Sequence, residues 1–419
     1  MFFIIVLSTF FALSSYVFMR GFQALPPFVI IKVIYSILFI GGMLSFFLRM
    51  YLGDRVEEKY TLPLSEIGFT FIIALVYFAL FALGFDILRV INHFFQIFPD
   101  FVIKNREIAK YSALGFSVIT VVILLIIGSR NFNNPVVTKY ELHTDKPLPG
   151  GRLRIVMASD IHLSSFINGE NLKKYVNLIN SQKGDLVVLA GDIADRDARP
   201  LIEHKMDREL SRIESKLGVY AITGNHEFYG GKRDDIYNII RSSGIHLLID
   251  SVHVSPNGFV VVGRDDKTNH KRNSLKSLMK GINMDLPVIL LDHQPSKLED
   301  AVNNKVDLQL SGHTHNGQFW PGNILVSLLF ENGYGHLRKG DTDIIVSSGL
   351  GLWGPKYRIG TKSEVVVIEW IELPASSGTA TTESSSPKSP KSSATESSSA
   401  SESSSKTSGS SSASRHQRS

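Results

Sequence analysis

The chain of 419 residues divides into three stretches that differ in how apolar and polar positions follow one another. The first stretch, up to about residue 127, contains four long apolar runs. A helix needs roughly 20 apolar residues to cross a hydrocarbon core, and the second and third runs reach that length easily. We therefore predict an N-terminal bundle of four membrane-spanning helices. The four runs are Phe2–Met19, Phe28–Leu48, Ile67–Leu88 and Tyr111–Ile127.

The first run has an alternative interpretation as a cleaved signal peptide. Signal peptides usually carry basic residues before their apolar core. No Lys or Arg precedes Phe2, whereas Arg20 follows the run. We therefore favour an uncleaved helix.

The second stretch alternates between short apolar segments and amphipathic segments, which predicts a layered α/β domain. Its apolar segments are rich in Val, Ile and Leu, as buried strands are. The strand candidates are 153–159, 185–190, 218–222, 258–263, 287–291, 306–311, 342–348 and 364–370. The helix candidates are Gly169–Ser181, Ala198–Lys216, Arg233–Ser243 and Pro295–Asn303.

The third stretch consists mostly of Ser, Thr, Ala, Lys and Glu, and it has almost no large apolar residue with which to offset its ordering entropy. We predict that it is disordered. The resulting division is a transmembrane region at 1–128, a linker with the first strand at 129–150, the α/β domain at 151–373 and the Ser-rich tail at 374–419.

Net charge and cysteine content limit the partners and the metal ligands that the chain can have. The formal charge of +5 is modest, and no basic stripe interleaved with aromatic residues is present, so we expect no nucleic-acid partner. The chain has no cysteine. A bound metal would therefore be held by His, Asp, Asn or Glu.

Basic residues near the ends of the four runs give the expected orientation. They are slightly more frequent in the first and third loops than on the other side, and the positive-inside rule places the richer side in the cytoplasm. We therefore expect an integral protein of the cell membrane with the α/β domain outside the cytoplasm. The first and third loops carry Arg20, Lys32, Arg89, Lys104, Arg106 and Lys110, and the other side carries Arg49, Arg55, Lys59, Arg130 and Lys139.

Five apolar strand candidates are followed at once by side chains that can bind metal. Strand carboxyl ends are where α/β sheets place their sites, and loops held by a rigid sheet can converge on one point. We therefore expect one metal centre built from five loops. Its candidate residues are Asp160 and His162, Asp192, Asn225 and His226, His293, and His313 and His315.

Carboxylate, amide and imidazole ligands together suit borderline divalent ions such as Mn, Fe or Zn. Two such ions can clamp the attacking and leaving oxygens of a phosphoryl displacement and acidify a water molecule between them. A nearby imidazole can then protonate the leaving oxygen. A pair of such ions at this site could therefore support phosphoester hydrolysis.

The order of these segments resembles that of the calcineurin-like metallophosphoesterase superfamily, and most of all its membrane-linked bacterial YkuE and YaeI type. The segments are SDIHL (159–163), AGDI (190–193), TGNHE (223–227), LLDHQP (290–295) and SGHTHNGQ (311–318), with SSGLGLWGPKYRIG (347–360) near the end. The resemblance covers roughly residues 136–371. It implies a four-layer α-β-β-α sandwich, here preceded by a transmembrane helical bundle.

The resemblance also implies a role for each candidate residue. One ion would be held by Asp160, His162 and His315, and the other by Asn225, His293 and His313. Asp192 would bridge the two ions. His226 would face the substrate as an acid or charge stabiliser, and Glu227 would cap a helix or support the ligands. The implied activity is metal-dependent hydrolysis of a phosphodiester, phosphomonoester or pyrophosphate bond by a hydroxide that bridges the ions.

The substrate is expected to be a phosphorylated small molecule or lipid, and the spans favour a lipid because they hold the domain near a bilayer. The resemblance implies UDP-diacylglucosamine or a phospholipid as examples, since relatives act on such esters. The apolar segment 318–342 predicts a helix that covers the sheet; the alternative is an apolar wall beside the metals or a patch that enters the membrane. Lys356 and Arg358 are either phosphate contacts or surface charges.

A non-catalytic, metal-stabilised scaffold or receptor is the alternative function. The sequence leaves the oligomeric state open.

Overall fold

The structure is a computed structural model that describes residues 2–52, 55–229 and 233–374. The predicted tail at 374–419 therefore lies outside the described residues, apart from Pro374. The described part of the chain forms one unit that contains both the N-terminal helices and the α/β domain.

Four of the N-terminal helices are long and apolar enough to cross a membrane, which confirms the predicted number of spans. Each helix extends beyond the apolar run that predicted it. The helices are α1 (Phe2–Ala24), α2 (Val29–Leu52), α3 (Glu58–Phe95), the short α4 (Asp100–Lys104) and α5 (Arg106–Asn133).

The loop ends of α1 and α3 that lie far from the α/β domain are joined by an ion-pair cluster. Asp86 accepts bonds from Arg89 at 2.7 Å, from Arg20 at 2.6 Å and from the Tyr16 hydroxyl at 2.8 Å. Because three donors surround the one carboxylate, its charge is compensated at the end of the span.

The α/β domain contains two six-stranded sheets. The first sheet is parallel except where β12 meets β2, and the second is parallel in its centre with an antiparallel strand at each edge. In spatial order the first sheet is β1 (Val136–Thr144), β12 (Glu364–Glu372), β2 (Arg152–Ala158), β3 (Leu186–Ala190), β4 (Val219–Ile222) and β5 (His246–Leu247). The second is β10 (Gly335–Lys339), β11 (Thr342–Val346), β9 (Leu308–Ser311), β8 (Val288–Leu291), β7 (Phe259–Gly263) and β6 (Ser251–Ser255).

The sheets face each other across one apolar core, and helices cover their outer faces, so the predicted four-layer α-β-β-α sandwich is confirmed. Ile155 and Met157 of β2 and Leu291 of β8 are among the residues of the central core. The helices are α6 (Gly169–Ser181), α7 (Arg199–Glu203), α8 (Met206–Leu210), α9 (Asn225–Tyr229) and α10 (Arg233–Ser242) along the first half, and α11 (Leu275–Leu278), α12 (Glu299–Asn303) and α13 (Gly322–Leu329) along the second.

Helix α6 shows why the amphipathic pattern predicts this layer well. Asn168 caps its first turn by accepting hydrogen bonds from the backbone N–H groups of Glu170 and Asn171. Leu172, with Tyr175, Val176 and Ile179, is buried against the first sheet at helical spacing. The predicted bounds of this helix agree with the structure.

Two other helix predictions are wrong in extent. The expected helix Ala198–Lys216 is two short helices, because Lys205 adopts a left-handed conformation with φ 50° and interrupts it. The expected helix Pro295–Asn303 begins only at Glu299, after Lys297 with φ 56°. A left-handed residue ends the regular hydrogen bonding of a right-handed helix.

The prediction of a helix that covers the sheet in segment 318–342 is also wrong in part. A helix is present as α13, but none of its residues is buried. It therefore covers no part of either sheet.

Candidate metal centre

The eight candidate residues all lie at the carboxyl ends of strands, as the sequence predicted, and the structure brings them together. Asp160 and His162 follow β2, and Asp192 follows β3. Asn225 and His226 begin α9 directly after β4. His293 follows β8, and the residues that follow β9 are His313 and His315.

The first group of side chains is Asp160, His162 and His315, whose ligand atoms lie within 4.8 Å of one another. The two imidazole Nε2 atoms are 3.1 Å apart, and His315 Nε2 is 3.4 Å from Asp160 Oδ1. All three side chains are buried. This geometry fits a single ion held by two imidazoles and a carboxylate.

The second group is Asp192, His293 and His313, again within 4.8 Å of one another. Asn225 joins it, because its Oδ1 is 2.7 Å from His313 Nδ1. The Oδ2 atom of Asp192 lies 3.2 Å from His293 Nε2 and 3.7 Å from His162 Nε2. One carboxylate oxygen therefore stands between the two groups.

His293 shows that these side chains fit a metal rather than a buried hydrogen-bond network. Its Nδ1 donates to the carbonyl oxygen of Ala190 at 2.8 Å, which fixes the tautomer. Its buried Nε2 has no hydrogen-bond partner and faces Asp192. An oriented imidazole with a free lone pair is the arrangement found at metal ligands.

The electrostatics of the cluster agree with this interpretation. Burial and the neighbouring His162 and Arg358 hold the pKa of His315 well below its ordinary value, which favours the neutral imidazole that binds metal. Burial opposes ionisation of Asp192, but the neighbouring imidazoles, first of all His293, outweigh burial and lower the pKa of Asp192. Asp192 is therefore held as a carboxylate.

Five of the candidate ligands have a left-handed backbone conformation. Non-glycine residues rarely adopt a positive φ, and keeping one costs of order 1–3 kcal/mol. The surrounding sheets therefore impose a conformation that an isolated loop would not keep. These candidate ligands are Asp160 (φ 53°), His162 (53°), Asp192 (51°), His313 (73°) and His315 (51°).

Two glycines allow the loops to approach closely. A Cβ atom on Gly224 would lie 2.1 Å from Asp192 Oδ1, and one on Gly312 would lie 2.3 Å from Asp160 Oδ2. Real contacts of that length do not occur, so a side chain at either position would displace a candidate ligand. The glycines of the TGNHE and SGHTH segments therefore leave room for the carboxylates of Asp192 and Asp160.

His226 lies beside the two groups, with its ring centroid 4.5 Å from that of His162. Its Nδ1 bonds to Asp195 Oδ1 at 2.6 Å, and its backbone N–H donates to Asp192 Oδ1 at 2.8 Å. Burial alone would lower the pKa of His226, but the bond to Asp195 and the charge of Asp192 raise it above its ordinary value. Asp195 is a site residue that the sequence analysis missed, since no spacing rule selects it from the aspartates that follow Asp192.

Glu227 supports the loops, as expected. Its carboxylate accepts hydrogen bonds from the backbone N–H groups of Ala194 at 2.7 Å, Gly224 at 2.8 Å and Asp192 at 3.2 Å. Burial and the charge of Asp192 raise the pKa of Glu227 to about 7. This one side chain ties the loop after β3 to the loop after β4.

Arg358 differs from both roles considered for it, whereas Lys356 is a partly exposed charge. Arg358 is fully buried, and its guanidinium donates to the carbonyl oxygens of Gly349 at 3.0 Å, Gly351 at 2.5 Å and His315 at 3.4 Å. Burial lowers the pKa of Arg358 to about 10. Lys356 pairs with Glu66 of α3 at 2.9 Å. Arg358 therefore supports a candidate ligand, and Lys356 joins the domain to the helical bundle.

The two-sheet sandwich and its buried His/Asp clusters define a metallophosphoesterase domain. The family model for calcineurin-like phosphoesterases matches residues 153–317, which contain the candidate residues. The chain belongs to this family, as the next comparisons also show.

Similar proteins come from bacteria and animals. A transmembrane protein with metallophosphoesterase domain from Bos taurus is 31% identical over 283 residues, which cover 62% of this chain and 63% of that protein. A metallophosphoesterase from Aquifex aeolicus is 32% identical over 241 residues, 55% of this chain and 90% of the relative. The metallophosphoesterase YkuE of Bacillus subtilis is 30% identical over 261 residues, 57% of this chain and 88% of YkuE. The predicted likeness to the YkuE type is confirmed.

Proposed function

We propose that this protein is a membrane-anchored phosphoesterase that binds two divalent ions and hydrolyses a phosphoester or pyrophosphate bond in a lipid-linked substrate. The position of Asp192 carries the proposal, because its Oδ2 faces His162 of one group and His293 of the other. A shared carboxylate between two sets of ligands is suited to a pair of ions. We propose Asp160, His162 and His315 as ligands of one ion, Asn225, His293 and His313 as ligands of the other, and Asp192 as the bridge.

The chain's own residues then have distinct tasks. Divalent ions bound there, such as manganese, iron or zinc, would supply Lewis-acid chemistry and a nucleophile from water at neutral pH. His226 has its Nδ1 occupied by Asp195, so its Nε2 is the atom that can donate a hydrogen bond or a proton to the departing oxygen. Asp195 holds the imidazole in that orientation and stabilises its cationic form.

The lipid-linked substrate follows from where the spans hold the domain. Membrane-resident phosphates such as UDP-diacylglucosamine or phospholipids are concentrated beside an anchored enzyme, whereas soluble esters are not. The absence of a basic, aromatic-lined stripe from the sequence argues against a nucleic-acid substrate. We keep the oligomeric state open.

We further propose that the spans occupy 1–128, with 129–150 leading into the catalytic domain at 151–373 and the tail at 374–419.

We also propose that the domain lies outside the cytoplasm. Arg20, Arg89 and Lys110 line one cavity of about 400 Å³ in the bundle, so basic residues of the first and third loops lie on the same side of it, which supports the positive-inside argument. The chain has no cysteine, so a single V254C substitution reports the domain's side. Labelling of intact cells by a membrane-impermeant maleimide is expected; labelling only after permeabilisation would reverse the orientation.

The enzymatic proposal is tested with the full-length protein in detergent. The substrates are p-nitrophenyl phosphate, bis-p-nitrophenyl phosphate and UDP-diacylglucosamine, each with Mn²⁺ or with a chelator. We expect turnover with Mn²⁺, loss of turnover with chelator and no turnover by Asp192→Asn. Asp234→Asn, an exposed position in α10, is the matched control and should behave as wild type. Equal turnover by wild type and Asp192→Asn would refute the proposal and favour a scaffold.

A further inference from the structure

Helix α13 is apolar, and most of its residues are exposed, with only Gly322, Asn323 and Val326 half-buried, which is unusual for a helix of an α/β domain. Leu328 and Leu329 are each 76% exposed, and Leu325 is 60% exposed. Its only polar side chains are Asn323 and Ser327, and the Ser327 hydroxyl is bonded within the helix to the Ile324 carbonyl oxygen. Contiguous exposed apolar surface of this kind marks a site of contact with a partner or a membrane.

The segment directly before α13 is packed against the membrane-spanning helices. Phe319 lies in an apolar cluster with Ile73 of α3 and Val121 of α5. The Tyr77 hydroxyl of α3 donates to the carbonyl oxygen of Trp320 at 2.9 Å. The chain therefore enters α13 from a point where it already touches the bundle.

The contact between Trp320 and α3 lies along the apolar part of that helix. Glu66 of α3 pairs with Lys356 of the domain, and Asp86 of the same helix pairs with Arg20 farther from the domain. The candidate span Lys59–Phe95 has 37 residues, about 55 Å at 1.5 Å per residue, so it exceeds the roughly 30 Å of a hydrocarbon core and only part of α3 lies in hydrocarbon. Tyr77 is eleven residues from Glu66, or about 16 Å along the axis. Trp320 thus lies beside the apolar part of the span rather than at its charged end.

The other end of α13 lies next to the metal centre. The Phe330 ring, directly after the helix, is 6.3 Å from the His313 ring between centroids. The Thr314 hydroxyl donates to the Gly333 carbonyl oxygen at 2.6 Å. The segment from Trp320 to Gly333 therefore connects the position of Tyr77 on α3 with the candidate ligand His313.

We propose that α13 is an interfacial helix whose leucines enter the same bilayer that the bundle spans, and that lipid phosphates reach the metal centre along it. Interfacial helices of this kind bury their apolar side chains at the boundary of headgroups and acyl chains. The bilayer is the occupant favoured by the continuity of α13 with the membrane-spanning surface at Trp320. The second half of the inference rests on the proposed function, and the first half does not.

The depth of α13 is measured without reference to activity. Full-length L328C and the matched control V254C, an exposed apolar position on edge strand β6, are labelled with bimane and placed in phosphatidylcholine–phosphatidylglycerol nanodiscs containing doxyl lipids. We expect several-fold stronger quenching at position 328 than at position 254. Equal quenching would overturn the inference. The inference would also be overturned if position 328 were shielded from aqueous iodide but not quenched by doxyl lipids. That result would favour a protein partner or a second copy of the chain on α13.

The substrate route is tested by Leu328→Glu and Leu329→Glu, with Val254→Glu as control. A charge in hydrocarbon disfavours the inserted helix, so we expect the ratio of turnover on bilayer phospholipid to turnover on p-nitrophenyl phosphate to fall about 10-fold or more. Val254→Glu should keep the wild-type ratio. An unchanged ratio in the leucine variants overturns the route. Doxyl quenching without any turnover would refute the proposed function and leave the interfacial helix in place.

Discussion

The helical bundle and the α/β domain place their side chains by opposite rules. In the bundle, apolar residues such as Leu38 and Ile126 face outward, and small polar residues such as Ser45 and Ser117 are buried. In the domain, whole strands such as β3 are buried and apolar. The difference teaches that an exposed leucine has meaning only relative to the surrounding medium, since lipid replaces water around the bundle. Helix α13 belongs to the domain by sequence but follows the rule of the bundle.

The two regions meet at Arg358. Its side chain supports the loop of His315, while its backbone N–H donates to the carbonyl oxygen of Gly128 at 2.9 Å and its carbonyl oxygen accepts from Asn131 at 3.1 Å. Gly128 and Asn131 both belong to α5. One residue thus contacts a membrane-spanning helix and a candidate metal ligand, and the regions are physically joined at the site.

The largest expected effect lies wholly within the domain. His226→Ala should lower kcat by about 10²–10⁴-fold, the range typical of general acid catalysis, while the Mn²⁺ content of the purified protein is unchanged. His246→Ala, an exposed histidine outside the cluster, is the control. Steady-state kinetics and metal analysis are the measurements. Unchanged turnover would remove His226 from the chemistry, and loss of metal would make it a ligand.

The second effect tests the side chain of Arg358, the residue at which the two regions meet. Arg358→Met leaves the carbonyl oxygens of Gly349 and Gly351 without their donor in a buried site, which should lower the free energy of unfolding by about 3 kcal/mol. Because His315 loses its support, Mn²⁺ affinity should fall roughly 10–100-fold. Thermal unfolding in detergent and Mn²⁺ titration are the measurements. Stability and affinity close to wild type would show that the Arg358 side chain does not support the site.

The five loops of the site were predictable from the sequence, and the support around them was not. Side chains that can bind metal directly after apolar strands identify Asp160 and the other candidate residues, because the carboxyl ends of parallel strands are where such sheets place their sites. Asp195 and Arg358 act through contacts with distant residues, which no local pattern encodes. For α13 the apolar pattern predicted the helix, but a helix facing lipid and one facing a sheet have the same composition.

The third effect separates positioning from catalysis within the domain. Asp195→Asn keeps the size of the side chain but removes the charge that orients His226, so kcat should fall roughly 10–100-fold with little change in KM. The double variant with His226→Ala should be no slower than His226→Ala alone, because both act through one imidazole. Additive losses would show that Asp195 acts independently of His226.

The smallest effect tests where the two media meet. Lys356 and Glu66 form an ion pair across the regions, with side chains 33% and 57% exposed. In contact with water, such a pair contributes about 0–1 kcal/mol, so Lys356→Met and Glu66→Gln should each change the unfolding midpoint little, and their coupling in a double-mutant cycle should stay below about 1 kcal/mol. A coupling of several kcal/mol, insensitive to salt, would mean that the pair lies in a low-dielectric medium. Glu66 would then lie inside the hydrocarbon layer. Trp320 and α13 would accordingly lie deeper in the membrane than proposed.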